Sequence, residues 1–213
     1  MKIYVAKNQT DAANFIANRL IQQVQDKPDS VLGLATGSTP LNTYKKLIID
    51  YEKNKTDYRQ VITFNLDEYL GLNVHSNQSY RFFMNENLFK HININIENTF
   101  FPNEKNYTLY DQMILDKGGI DIQLLGIGHN GHIAFNEPNT EPTLLTHIID
   151  LSDSTIKANS RFFDSIEHVP KKAITMGIKS ILNDKKIIIV DKGLDKADII
   201  KKSRAITNGE KSG

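Results

Sequence analysis

Residues 126–138 read Gly-Ile-Gly-His-Asn-Gly-His-Ile-Ala-Phe-Asn-Glu-Pro, and the first six form a Gly-x-Gly-x-x-Gly turn directly after the apolar run at 120–125. A strand followed by such a turn has the spacing of a dinucleotide-binding unit, and Asp150 closes the next apolar run where that unit needs an acid. The prolines decide against it. A dinucleotide turn must open a helix long enough to cross back over the sheet, and Pro138 and Pro142 stop any helix after about two turns. The stretch is instead an active-site loop that presents Asn130, His132 and Glu137 close together, an amide and a carboxylate suited to orient an imidazole. His129, His132 and Glu137 make an alternative metal set, but two histidines in a glycine loop lack the i, i+4 helical spacing of zinc proteases. A plain loop-stabilising role for His132 is the third reading.

Outward from this loop, short apolar runs at 3–6, 31–35, 61–66, 146–150 and 186–190 have the length of buried strands. Thr10 is placed to cap a helix whose apolar face is Ala13, Phe15, Ile16, Leu20, Ile21 and Val24, and Pro40 suits the first turn of another through Tyr44, Leu47 and Ile48. This alternation predicts an α/β fold: a mostly parallel, Rossmann-like sheet with helices on both faces, in a single domain spanning 1–213 with a polar tail at 203–213. In such a sheet ligands bind beyond the carboxyl ends of the strands. The polar residues fall there: Thr36-Gly37-Ser38-Thr39-Pro40 after the second run, Asp67-Glu68-Tyr69 after the third, the glycine loop, and Lys192 and Lys196 after the last.

Lys plus Arg is 26 against 25 Asp plus Glu, with no long run of one sign, so the composition argues against a nucleic-acid or membrane-surface partner and for a small ligand. The chain has no cysteine, which excludes disulfides, thiolate metal sites and a cysteine nucleophile, and suits a reducing compartment. No apolar stretch approaches the ~20 residues of a membrane span. The expectation is a cytoplasmic protein.

Each polar stretch has a chemical reading and a plainer one. Small and hydroxyl residues at Thr36–Thr39 lead into a helix, so backbone N–H groups and the helix dipole there can cradle a phosphate, or the stretch is an ordinary strand-to-helix turn. Asp67 and Glu68 leave a strand on opposite sides, so one of them faces a crevice and can act as a base next to a carbonyl or imine, unless both belong to a solvated turn. Arg161 and Lys196 are ordinary helix-surface cations unless a phosphate lies near. Tyr80, Phe82, Phe83 and Leu88 read as core or lid packing.

Taken together, residues 34–40, Phe64-Asn65-Leu66-Asp67-Glu68-Tyr69, the loop at 126–138 and residues 158–163 resemble the glucosamine-6-phosphate deaminase (isomerase) family, collinearly to about Lys196. The related 6-phosphogluconolactonases carry Asp-Glu-Arg and Gly-His-Thr-Ala-Ser versions, whereas here Tyr69 follows Glu68 and Ile133 follows His132. The resemblance implies that His132, oriented by Glu137 and Asn130, opens the amino-sugar ring, and that Asp67 moves a proton from the second carbon to the first. Water then splits the ketimine to fructose 6-phosphate and ammonia. It implies phosphate binding by Thr36, Gly37, Ser38, Arg161 and Lys196, and neither cofactor nor metal. Some members have Asp where Asn130 stands, so charge support for His132 rests more on Glu137. His147 and Ile149 replace the basic residues of regulated members, which implies an unregulated enzyme, and the family's closing segment is absent after Lys202. Monomer and homo-oligomer both stay open. A lactonase-like hydrolase and an inactive sugar-phosphate-binding relative are the alternatives; a DNA-linked sensor would need a helix-turn-helix and a basic face, and neither is evident.

Overall fold

The computed structural model describes residues 2–73, 76–128 and 131–191. In chain order the strands are β1 (Val31–Leu34), β2 (Ile62–Asn65), β3 (Asp67–Tyr69), β4 (Thr99–Phe100), β5 (Ile122–Gly126), β6 (His147–Asp150), β7 (Lys172–Thr175) and β8 (Ile187–Val190). The α-helices are α1 (Gln9–Asp26), α2 (Leu41–Asn54), α3 (Tyr80–Asn87), α4 (Tyr110–Asp116), α5 (Asp153–Asn159) and α6 (Ile178–Leu182).

Five strands form a parallel sheet in the order β4-β2-β1-β5-β8. Alternate residues of each strand feed opposite cores, as a pleat requires. Leu32, Leu34, Ile122 and Leu124 face a core built with α1, α2 and α3, through Ile16, Leu20, Tyr44, Leu47 and Met84. Val31, Phe64 and Leu125 face the other side, where Tyr110 and Ile114 of α4 and Ile181 of α6 pack. Helices therefore cover both faces, and the expected α/β architecture is present. The strand order runs outward in both directions from β1, which makes the gap between the carboxyl ends of β1 and β5 a topological switch point, the place where such sheets open a crevice. At the opposite edge the Asp121 carboxylate accepts hydrogen bonds from Lys27 Nζ at 2.7 Å, Lys185 Nζ at 2.8 Å and the backbone N–H of Val31 at 2.9 Å, which ties β1 to β5 where they start.

Four local expectations are corrected. Residues 3–6 do not form a strand; Tyr4 stacks on Phe15 of α1 at 4.0 Å and its hydroxyl donates to Asp11. The cap of α1 is Asn8, whose side chain accepts from the N–H of Asp11, and Thr10 lies inside the helix. The run at 146–150 does yield a strand, β6, but in a second, antiparallel sheet ordered β3-β7-β6. Asp67-Glu68-Tyr69 is likewise a strand of that sheet and not a turn. The polar tail at 203–213 lies outside the described residues.

Candidate active site

The glycine loop leaves β5 at the switch point and folds on itself. The N–H of Gly128 donates to the carbonyl of His132 at 2.8 Å, and the N–H of Gly131, at φ 94°, donates to the carbonyl of Gly128 at 3.0 Å. The His132 imidazole lies over Gly128, where a Cβ would come within 2.1 Å of Cε1. Glycine at 128 is thus the space into which the ring fits. No crossover helix follows. Ile133 and Asn136 instead exchange backbone hydrogen bonds around Ala134, which sits at φ 54°. The Asn136 amide, 2% exposed, anchors this turn by donating to the carbonyls of Ile133 at 3.0 Å and Met176 at 2.8 Å.

Asp67 opens β3 directly opposite Thr175 of β7, and the Thr175 hydroxyl accepts the N–H of Phe135 from the glycine loop at 3.2 Å. Asp67 and the His132 loop therefore converge on one residue. Asp67 is 8% exposed; burial, and behind it the negative charge of Glu68, pushes its carboxyl up to about 8. That is the direction a general base working near neutrality needs. Glu68 leaves β3 the other way and is bound by three backbone N–H groups, of Tyr69, Tyr80 and Arg81, each at 2.9 Å. Glu137, a few residues beyond His132, accepts at Oε1 from the hydroxyl of Ser152 at 3.3 Å, and Ser152 is the N-cap of α5.

The phosphate-loop candidates border the same crevice. Gly37 stands at φ 89°, a conformation that side-chain-bearing residues rarely adopt, and Ser38 is exposed. Thr36 is half-buried, and a Cβ at Gly126 of β5 would lie 3.9 Å from Thr39 Oγ1, so this loop and the glycine loop flank each other. α2 starts at Leu41, with Pro40 in the N-cap position and no side-chain cap bond. Arg161 lies in the 3-10 turn Ser160–Phe162 after α5, its side chain exposed. This turn is held to β3 by Phe163, whose ring meets Tyr69 edge-on at 5.8 Å. Asn130 and Lys196 lie outside the described residues, as does His129 of the alternative metal set.

Two features were not anticipated. Tyr69, Tyr80, Phe135 and Phe163 form one aromatic wall, with Tyr80 and Phe135 stacked at 6.1 Å and 6°. Strand β7, which supplies Thr175, follows Pro170 and ends before Gly177; a Cβ at Gly177 would meet the Leu144 carbonyl oxygen at 2.1 Å. The apolar stretch between that proline and that glycine is the signal that could have located it.

A parallel sheet with a buried carboxylate and an imidazole loop gathered at its switch point defines an α/β protein whose site suits acid–base chemistry on a small anionic ligand. The chain belongs to the glucosamine-6-phosphate isomerase/6-phosphogluconolactonase family, whose profile matches residues 6–212. It is 54% identical over 209 residues to a glucosamine-6-phosphate deaminase of Lachnoclostridium phytofermentans, covering 95% of this chain and 89% of that one. It is 52% identical over 203 residues to a glucosamine-6-phosphate deaminase of Mycoplasma mycoides subsp. mycoides, covering 94% and 83%. A solved monomeric glucosamine-6-phosphate deaminase superposes with a TM-score of 0.91 at 40% identity, over 100% of this chain and 89% of that one. A 6-phosphogluconolactonase from Thermotoga maritima shares the fold, with a TM-score of 0.69 at 20% identity over 97% and 89%.

Proposed function

We propose that this chain isomerises and deaminates glucosamine 6-phosphate to fructose 6-phosphate and ammonia, with Asp67 as the carbon base. The observation that carries the reading is Asp67 itself, a buried carboxylate raised to about 8, next to the strand that also anchors the His132 loop. Identity above 50% to relatives named glucosamine-6-phosphate deaminase supports the substrate.

His132, supported by Glu137 and Asn130, moves the proton of the anomeric hydroxyl to the ring oxygen, which opens the sugar. Asp67 takes the proton from the second carbon as the aldehyde oxygen gains one, giving an enolamine, and delivers it to the first carbon as the amino group gives one up, leaving an imine at the second. Addition of water and loss of ammonia leave the ketone. One base serves both carbons, so each bond broken to hydrogen is matched by one formed. Gly37, Ser38 and Thr36 at the start of α2, with Arg161 and Lys196, hold the phosphate by N–H groups and charge-assisted bonds. The 213 residues act as one catalytic domain. The cytoplasm is the compartment we assign to the enzyme, on the ground that a sugar phosphate is too polar to cross a bilayer unaided and stays on the side where it is made.

Incubation of the purified chain with glucosamine 6-phosphate should release ammonia and fructose 6-phosphate in equal amounts. Because Asp67 must be ionised to act and its folded value is raised, kcat/KM should climb with pH through about 8. Failure to release ammonia, with hydrolysis of 6-phosphogluconolactone in its place, would overturn the proposal.

A further inference from the structure

Glu68 is a buried ionisable group that the reaction above does not use. It is 9% exposed and leaves β3 on the side opposite Asp67. Both of its oxygens are occupied: Oε1 accepts from the N–H groups of Tyr69 and Tyr80, and Oε2 from that of Arg81. Tyr80 and Arg81 are the first two residues of α3, and the Ser79 hydroxyl accepts the N–H of Phe82 in the same turn. A helix start leaves its first donors open and favours negative charge, so this carboxylate is held where the helix wants an anion. Burial pushes the Glu68 carboxyl up, and the three N–H groups work against that rise, as does the charge of the Arg81 guanidinium, which stacks over Phe101 at 4.5 Å and donates to the Thr99 carbonyl.

We propose that Glu68 is a positioning residue for the proton transfers: the first turn of α3 holds its carboxylate as a fixed negative charge beside Asp67 and locks β3 in the register that presents Asp67. This rests on the deaminase reading for what Asp67 does, not for how the two carboxylates interact. Like charges one residue apart in a buried strand make the ionised form of Asp67 harder to keep and so more avid for a proton. The other groups facing Asp67 do not supply that charge. Tyr69 on β3, Tyr80 on α3 and Tyr110 on α4 are phenols raised by burial and neutral at pH 7, and Thr175 across on β7 does not titrate. Arg81 and the glycine loop's His132 carry no negative charge. A glutamine at 68 keeps the shape, removes the charge and turns an NH2 toward the N–H of Arg81.

The test is the pH profile of kcat/KM for the full chain and its Glu68→Gln variant. The acid limb should move down by about one pH unit, the scale of a close like-charge interaction, while KM stays within twofold. Ser79→Ala removes the neighbouring cap bond to the Phe82 N–H but leaves Glu68 its charge and its three N–H donors, and should leave the limb in place. A limb unmoved in Glu68→Gln, or moved equally by Ser79→Ala, overturns the proposal. Carbon-13 NMR of aspartate-labelled protein, with the Asp67 resonance identified by its loss in Asp67→Asn, reads the titration in the parent protein without turnover. The Asp67 carboxyl should titrate well above the ordinary aspartate range with a second inflection from Glu68. Because burial alone also raises Asp67, the second inflection is the discriminating feature, and a single step without it, wherever it falls, overturns the proposal. If the parent chain releases no ammonia, the deaminase reading falls while this titration still judges the pair.

Discussion

Two neighbouring carboxylates at Asp67 and Glu68 show how much one position in a strand decides. Alternation along a strand separates their side chains, and it is legible in sequence that only one of them meets a crevice. Their contacts differ: Glu68 is engaged by three backbone donors, and Asp67 lies opposite Thr175, whose hydroxyl accepts the Phe135 N–H of the glycine loop. Two of those donors, Tyr80 and Arg81, come from α3, so no local pattern around residue 68 could have announced them. Arg161 is a different case, since its exposure gives it room to meet a ligand and its turn is fixed by the contact of Phe163 with Tyr69. Arg161→Ala should raise KM for glucosamine 6-phosphate at least tenfold, the loss of about one charge-assisted bond, and change kcat much less. Initial-rate kinetics check this, and an unchanged KM would place the phosphate elsewhere.

Among the elements, the glycine loop was the most legible, because prolines act through covalent geometry and forbid a crossover helix whatever the surroundings. Its turn around Ala134 and the insertion of the His132 ring over Gly128 are the outcome. Gly128→Ala should expel that ring; we expect kcat to fall by at least about 10²-fold, the order of effect of misplacing a catalytic group, with the far-ultraviolet circular dichroism unchanged. A variant with parent kcat would show that His132 works from another position. Packing of α4 against the end of α6 brings Asp184 toward Asp111, and burial, then the Asp111 charge, pushes Asp184 up to about 8. A carboxyl whose folded value exceeds its unfolded value of 3.8 binds protons more tightly when folded, so it costs stability as pH rises from about 4 toward 8. Asp184→Asn should therefore raise the melting temperature at pH 8 by a few degrees, given about 2–4 °C per kcal/mol in a chain of this size, and leave it unchanged at pH 4. Thermal unfolding at the two pH values decides, and an equal gain at both would contradict the assignment.

At the scale of the whole molecule, the parallel sheet and its polar carboxyl edge could be read from apolar runs and the residues that follow them, while the second sheet could not. β3, β6 and β7 are short, and their antiparallel pairing is set by long-range register that periodicity does not encode. The segment at 3–6 has strand composition but takes no strand pairing, and its Tyr4 is captured by Phe15. Propensity there yields to tertiary contact. The two sheets meet where β2 passes through Leu66 into β3: the Leu66 N–H donates to the Leu34 carbonyl at 3.3 Å, and its own carbonyl accepts from Met176 at 2.7 Å. That junction delivers Asp67 to the switch point beside the glycine loop, and the central claim is that Asp67 there is the base for both carbons. The direct measurement is reaction of glucosamine 6-phosphate in deuterated water with the parent chain and with Asp67→Asn, following ammonia release and hydrogen exchange at the second carbon. The account predicts that Asp67→Asn still binds the sugar phosphate but loses both ammonia release and exchange by more than the ~10²–10⁴-fold usual for one general base; exchange at the parent rate would contradict it.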